Sequence, residues 1–376
     1  MDVLVVNAGS SSVKLMLFDG RLARKSAAAV TEIGGAARLA GQPCNAPDHR
    51  AALTLCLEAM GIAPASLGAA AHRVVHGGAH LRAACRIAAK VEAQIAACIP
   101  LAPLHNPANL TAIRALATLA PGLPQYASFD TAFHTTNPEV ALRYALPPQA
   151  EALGIRRYGF HGISYASLVA RWPGLTGTPV PGRLLAFHLG NGASICAIRD
   201  GISVATTMGY SPLDGLTMGT RAGTIDGNAV LRLAEVHGID GASRLLNRES
   251  GLLGLGGASD MRALHAAGTE GARFAVEHFC YWAVRHAGSM MAAIGGLDAV
   301  AFTGGIGEND AMVRGRIMAG LGWAGLAFDA GANAAGAARL HDGASSVAIW
   351  LVPAEEERHI ATEALALMRA EAGGVG

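Results

Sequence analysis

The chain opens the same way twice. Val3–Gly20 reads VLVVNAGSSSVKLMLFDG and Leu184–Gly201 reads LLAFHLGNGASICAIRDG. At a constant offset of 181 residues Gly9 falls on Gly190, Leu17 on Ile198, Asp19 on Asp200 and Gly20 on Gly201. Each copy is an apolar strand, a turn of small residues, a second strand, and an Asp-Gly pair that closes a further turn. The offset is close to half of the 376 residues, so the pattern predicts one domain duplicated, each copy starting with a β-hairpin. Chance likeness between two glycine-rich hairpins is the plain alternative.

Composition narrows what such domains can do. Hydrophobic residues make up 51% and charged residues 15%, with a formal net charge of +1. A disordered, solvating chain is thereby excluded, and nucleic acid is disfavoured as a partner. The six cysteines (Cys44, Cys56, Cys85, Cys98, Cys196 and Cys280) are scattered, with no C-x-x-C pair. A chain this long and apolar needs no disulfide staples, so they read as reduced, mostly buried thiols. The start Met1-Asp2-Val3-Leu4-Val5-Val6-Asn7 lacks a basic region and a long apolar run, unlike a signal peptide. Ala287 to Ile306, the most apolar later stretch, is interrupted by Asp298 and several glycines. It reads as a helix end followed by a buried strand, not a membrane span. A soluble cytoplasmic protein is expected, with no membrane partner.

The remaining elements fit an α/β arrangement. Asn106 is expected as the N-cap, and Pro107 as the first residue, of a helix running to Ala120. Ser259-Asp260 opens another helix. Thr269 to about Ile294 reads as a long helix with Ala275, Phe279, Trp282 and His286 along one face. Asp298–Thr303 reads as a buried strand feeding a turn over 304–309, then a helix from about Asp310. Val347–Val352 is a last strand, and Glu355-Glu356-Glu357 suits a helix N-terminus. The stretch from about Gly20 to Ala70 carries few signals.

The 48 glycines mark either flexible linkers or turns where backbone approaches a ligand. Three clusters, Gly9–Ser12, Gly190–Gly192 and Gly304–Gly307, have the second character, because bare N–H groups in such turns form concavities for anions. None matches the G-x-x-x-x-G-K-[ST] loop, since no Gly-Lys pair occurs. Each turn alone is equally well an ordinary hairpin. Together, two of them related by the repeat, they favour a nucleotide held between two domains. Polar residues punctuate other apolar segments: His72-Arg73, His76, Asp130, His134, His161 and Arg221. Arginine clamps carboxylate or phosphate, and histidine can donate to a developing oxyanion. A hydrogen-bonded structural role is the plain reading for His72, His76 and His134, and a surface salt bridge is the alternative for Arg73 and Arg221. No His/Cys grouping has zinc spacing, whereas dispersed carboxylates such as Asp130 and Glu356 suit Mg²⁺. The residues themselves lead as far as a two-domain phosphotransferase that binds a small anion.

Taken in order, several segments resemble the blocks of the acetate kinase family. They are Asn7-Ala8-Gly9-Ser10-Ser11-Ser12 with Lys14, HRVVHGG at 72–78, PLHNPAN at 103–109 and FDTAFH at 129–134. YGFHG at 158–162, HLGNGAS at 188–194, MGTR at 218–221 and TGGIGEN at 303–309 complete the set, over Val3 to about Ile360. The resemblance implies two duplicated actin-like (ribonuclease H-like) α/β domains with a nucleotide cleft between them, in a homodimer. The first domain is expected over 1–135, completed by a C-terminal helix at about 357–376. The second, over 136–356, is expected to bind nucleotide and to form the dimer interface.

The activity implied is reversible transfer of the ATP γ-phosphoryl group to acetate, giving acetyl phosphate and ADP, with Mg²⁺ or Mn²⁺. Arg73 and Arg221 then hold the substrate carboxylate and the moving phosphoryl group. His161 and Arg221 stabilise the transition state. Asp130 is catalytic, near the metal or fixing Arg73 or the attacking carboxylate. Asn7 and Glu356 fall at the metal, Glu355 standing where the family usually has Asn. Lys14, His188, Gly190, Asn191, Gly192, Asp260, Met261, Arg262, Gly305, Ile306, Gly307 and Asn309 fall at the nucleotide. Val75, Leu104, Phe160 and Pro212 would form a small apolar acyl pocket, in which valine at 75 favours acetate. The chain departs from the family at Ala79, Ala205 and Gly227 and in a shortened stretch between Gly20 and His72. The alternatives are a kinase for propionate or another short acid and, from another class, an actin-like nucleotide clamp without catalysis.

Overall fold

The computed structural model describes residues 1–373, in two compact units. Unit 1 is Met1–Phe133 with Gly162–Ser167 and the segment from Glu355 onward; unit 2 is His134–His161 with Leu168–Ala354. The short insert 162–167 is the beginning of helix Gly162–Thr176, so the division of the chain adds this insert to the breaks expected near residues 135 and 357.

Unit 1 is built on an eight-stranded sheet of β1 (Val3–Ala8), β2 (Val13–Phe18), β3 (Arg24–Thr31), β4 (Arg38–Leu39), β5 (Gln42–Pro43), β6 (Ala69–Val74), β7 (Cys85–Arg86) and β8 (Gln125–Phe129). Their order is β5-β4-β3-β2-β1-β6-β8-β7. Strands β1, β2 and β3 are antiparallel, while β6 and β8 join parallel to β1. Side chains alternate faces along a strand, and here both faces are covered. Leu4, Val6, Leu15 and Leu17 pack with Leu53, Cys56 and Leu57 of helix His49–Ala59 and with Leu116 of helix Asn106–Leu119. Val3, Val5, Met16 and Phe18 pack against Ile360, Ala361, Ala364 and Leu365 of helix Glu356–Gly373. This double burial is why β1 reads as an unbroken apolar run and not as an alternating one.

Unit 2 carries a five-stranded sheet of β9 (Arg183–Leu189), β10 (Ala193–Arg199), β11 (Ile202–Thr206), β12 (Ala299–Thr303) and β13 (Ala348–Leu351), ordered β11-β10-β9-β12-β13. Its strand order and sense repeat those of β3-β2-β1-β6-β8, so the sequence repeat is a structural one. The match is not letter for letter. The first hairpin turns over residues 9–12 and the second over 190–192, because Ala8 pairs with Val13 but Leu189 with Ala193. Leu17 therefore faces Leu4, whereas Ile198 faces Leu184, the counterpart of Val3. Beyond the turn the aligned letters are out of register by one residue, which exchanges the two faces of the strand. The following Asp-Gly behaves as read: Asp200 (φ 50°) and Gly201 (φ 83°) make a two-residue turn between β10 and β11.

Three local expectations shift. The long helix is Glu270–Ile294 with Thr269 as N-cap, its Oγ1 accepting from Ala272 N; Trp282 and His286 flank, and do not fill, its buried face. Asn106 is the first residue of its helix, not the cap. Its amide is drawn instead to the backbone of His76 and Ile95. Residues Gly304–Asn309, expected as a turn, form a short helix. All six cysteines are free. Among the described residues no helix is long and apolar enough to cross a membrane.

Candidate functional site

In unit 1 the polar groups gather at the C-terminal ends of the parallel strands, the edge where open α/β sheets hold their ligands. Asn7 stands near the end of β1, Arg73 near the end of β6 and Asp130 directly after β8. The Asp130 N–H donates to Val74 O at 3.1 Å, which continues the ladder and fixes the carboxylate. Arg73 forks onto it: Nη2 donates to Oδ2 at 2.6 Å and Nε to Oδ1 at 3.1 Å, while Nη1 reaches Asn7 Oδ1 at 3.3 Å. Asp130 is buried. Burial opposes the Arg73 charge, but Asp130, Glu356 and Glu357 outweigh it, so the guanidinium is held more firmly protonated than usual. This is an oriented clamp of a half-buried guanidinium on a buried carboxylate, not a surface salt bridge.

Glu356 opens helix Glu356–Gly373. Burial first, and then the charges of Asp130 and Glu357 against the pull of Arg73, push its carboxyl up to about 7. Glu357 is lowered, its burial overcome by Lys14, whose Nζ lies 2.6 Å from its Oε1. Lys14, expected at the nucleotide, is thus placed in unit 1 on a carboxylate. Hard oxygen donors crowded enough to hold one carboxyl half-protonated are what a divalent cation relieves. No group of three His, Cys, Asp or Glu side chains forms a cage among the described residues.

Two asparagines to which sequence reasoning gave no role in the site, Asn109 and Asn106, hold this edge in shape. Asn109 accepts from Val75 N at 3.1 Å and donates to Ala8 O at 2.7 Å, tying the ends of β6 and β1. Asn106 does the same for the turn at His76. Both lie in the segment PLHNPAN, so the signal was the pair of amides on an apolar helix start. Of the acyl-pocket residues expected, Val75 is buried and Leu104 exposed in unit 1; Phe160 and Pro212 belong to unit 2. His72 takes a structural role, with Nε2 2.7 Å from Gln125 Oε1.

In unit 2 two cationic or donor groups meet at a bare backbone. A Cβ placed on Gly192 would lie 3.2 Å from His161 Nε2 and 3.5 Å from Arg221 Nη2. A side chain at 192 would therefore crowd both groups, while the backbone angles there are ordinary. Arg221 is oriented by Pro212 O, to which Nη1 donates at 2.8 Å. Its loop is anchored where Gly219 N donates to Asn191 O at 2.9 Å. The His161 ring stacks on His188, with centroids 4.1 Å apart.

Beside that turn is a cavity of about 590 Å³. Of the residues expected at a nucleotide, Gly190, Asn191, Asp260, Met261, Arg262, Gly305, Ile306 and Asn309 line it. His188 and Gly192 face the His161 side instead. Gly307 is buried, its carbonyl taken by Arg314. Sequence reasoning missed Ser259, His265 and Asp310 on the lining; His265 Nε2 lies 2.7 Å from Asp310 Oδ2. It also missed Arg314, which is 1% exposed and donates to Gly307 O, Glu308 O, Asn333 O and Asn333 Oδ1 at 2.8–2.9 Å. A buried cation on the last carbonyls of a helix complements the helix dipole.

The doubled sheet and its parallel-strand edges are those of the actin-like ATPase fold. Solved structures of similar shape agree: an acetate kinase from Porphyromonas gingivalis has a TM-score of 0.87 at 34% identity, covering 98% of this chain and 99% of that one. A propionate kinase from Francisella tularensis has a TM-score of 0.90 at 34% identity, over 96% and 98%. The acetokinase family model matches residues 2–362. Acetate kinases of Streptomyces coelicolor and Methylocella silvestris are 44% and 41% identical, each over 97% of this chain and 97% and 98% of their own length. The chain belongs to the acetokinase family.

Proposed function

We propose that this enzyme transfers the γ-phosphoryl group of ATP to acetate, reversibly, giving acetyl phosphate and ADP. The observation that carries the reading is the meeting of His161 Nε2 and Arg221 Nη2 over the bare backbone of Gly192, next to a cavity of nucleotide size. A carboxylate is already ionised and nucleophilic at neutral pH, so no general base is needed. Arg73, held by Asp130, is suited to orient the acid through a planar fork. One acetate oxygen attacks phosphorus as the bond to the β-phosphate oxygen breaks in line, and the bonding electrons leave with ADP. Donors from Arg221 and His161 offset the charge on the equatorial oxygens, the main task in phosphoryl transfer. Asn7 and Glu356, with Asp130 behind them, would hold Mg²⁺, which when bound neutralises charge on the phosphates.

Propionate is the second reading, favoured by the likeness to a propionate kinase structure. Val75 supports acetate, although one methylene is worth only about 1–3 kcal/mol of discrimination. Steady-state kcat/KM with each acid is the test. ADP release that requires acid, with acetate preferred, is expected; a clear preference for propionate overturns the acyl assignment. Six free thiols support a reducing, cytoplasmic setting. Exposed Phe274, Tyr281 and Ile239 of unit 2 support assembly as a homodimer.

A further inference from the structure

His161 is held in a backbone conformation that few side chains adopt, φ 58° and ψ 20°, as the N-cap of helix Gly162–Thr176. A left-handed non-glycine residue persists only where its surroundings fix it. Three contacts do so. His134 Nε2 lies 2.9 Å from the preceding carbonyl, Phe160 O. The imidazole face lies on His188, with planes 24° apart. Nδ1 lies 2.8 Å from the hydroxyl of Ser194. Ser194 is fully buried and pairs directly opposite His188 on the neighbouring strand, so both side chains stand on one face of the sheet. Stacking fixes the ring plane and the hydroxyl bonds one ring nitrogen, so the position of the proton becomes the question.

A neutral imidazole has one donor and one acceptor nitrogen, and a hydroxyl can serve either. Nε2 is the nitrogen turned toward Gly192 and Arg221. A doubly protonated ring would set a second cation beside that guanidinium, which is costly. We propose that Ser194 is a positioning residue for phosphoryl transfer: its hydroxyl donates to His161 Nδ1 and so holds the neutral ring with the proton on Nε2, ready to donate to the moving group. This rests on the reading of His161 given above.

The experiment uses the full chain labelled with nitrogen isotope in its histidines. Ring-nitrogen NMR assigns His161 as the signals lost in His161→Asn. The wild type is expected to carry its proton on Nε2, Ser194→Ala to show a mixture of tautomers, and Ser194→Thr to restore the wild-type pattern. In Ser194→Ala, kcat should fall by about tenfold or more, as when a catalytic histidine loses its tautomer control. KM for ATP and for acetate should barely move, and Ser194→Thr should recover most of kcat. An Nδ1–H tautomer or an imidazolium in the wild type overturns the proposal, whether or not the variants fold. So does a folded Ser194→Ala protein with unchanged kcat. Unchanged kcat in His161→Asn would overturn the role of His161 itself, a separate failure from that of the hydrogen bond.

Discussion

Glu356 is half-buried beside two other carboxylates, and its carboxyl sits at about 7 against an ordinary 4.5. A folded-state value above the unfolded one means that the folded protein holds this proton more tightly. Its contribution is fully present below about pH 4.5 and is lost as pH rises through about 7. His72 and His76 act at the other end. Burial lowers both to about 4 from 6.5, so their contribution is present above pH 6.5 and lost as pH falls through about 4. Without metal or nucleotide, Glu356→Gln should therefore be more stable than wild type at pH 8, by about 2 kcal/mol once residual water is allowed for. The gain should vanish near pH 4.5. Urea midpoints across this range measure it; equal midpoints at pH 8 would mean that Glu356 is not strained by its neighbours. Arg73 and Asp130 were legible because charge on an apolar segment is conspicuous, whereas Glu356 stood in an acidic run that suits a helix start. Asn109 carried only the weak signal of paired amides on an apolar helix start, and Ser194 none, because a hydroxyl announces nothing until its partner is known.

At the scale of elements, both hairpins were legible from their small-residue tips and strand letters. Their registers were not, since a turn shorter by one residue leaves the letters aligned while it exchanges the faces. Helix Gly304–Asn309 was hidden by its glycines, which disfavour helix locally. Tertiary bonds override that preference. Glu308 Oε1 accepts from Gly304 N at 3.1 Å and Ala354 N at 2.9 Å, and Arg314 takes the carbonyls at the other end. Arg314→Met should leave those carbonyls and Asn333 without their donor. The expected cost is about 2–4 kcal/mol, read as a lower urea midpoint. KM for ATP should rise while KM for acetate stays put, because Gly305 and Ile306 line the cavity proposed for the nucleotide. A rise in both constants would mean that Arg314 supports the whole unit and not the nucleotide loop.

At the scale of the whole chain, a repeat at half its length gave the duplication, and two sheets of like order and sense are its physical form. Among the described residues the outer strands β4, β5 and β7 of the first copy have no counterpart in the second, and two of them lie in the stretch without sequence signals. Each is two residues long, too short to show a period. The clamp of Arg73 and Asp130 belongs to one unit and the donors His161 and Arg221 to the other. A nucleotide clamp without catalysis would need neither set. The most direct measurement is therefore the product itself: full-length protein with Mg-ATP and acetate, and hydroxylamine present to trap an acyl phosphate. Acyl hydroxamate formed in step with ADP, and absent when acetate is withheld, is the expected result. Folded protein that releases ADP without hydroxamate, or binds ATP and yields neither, would contradict carboxylate phosphorylation.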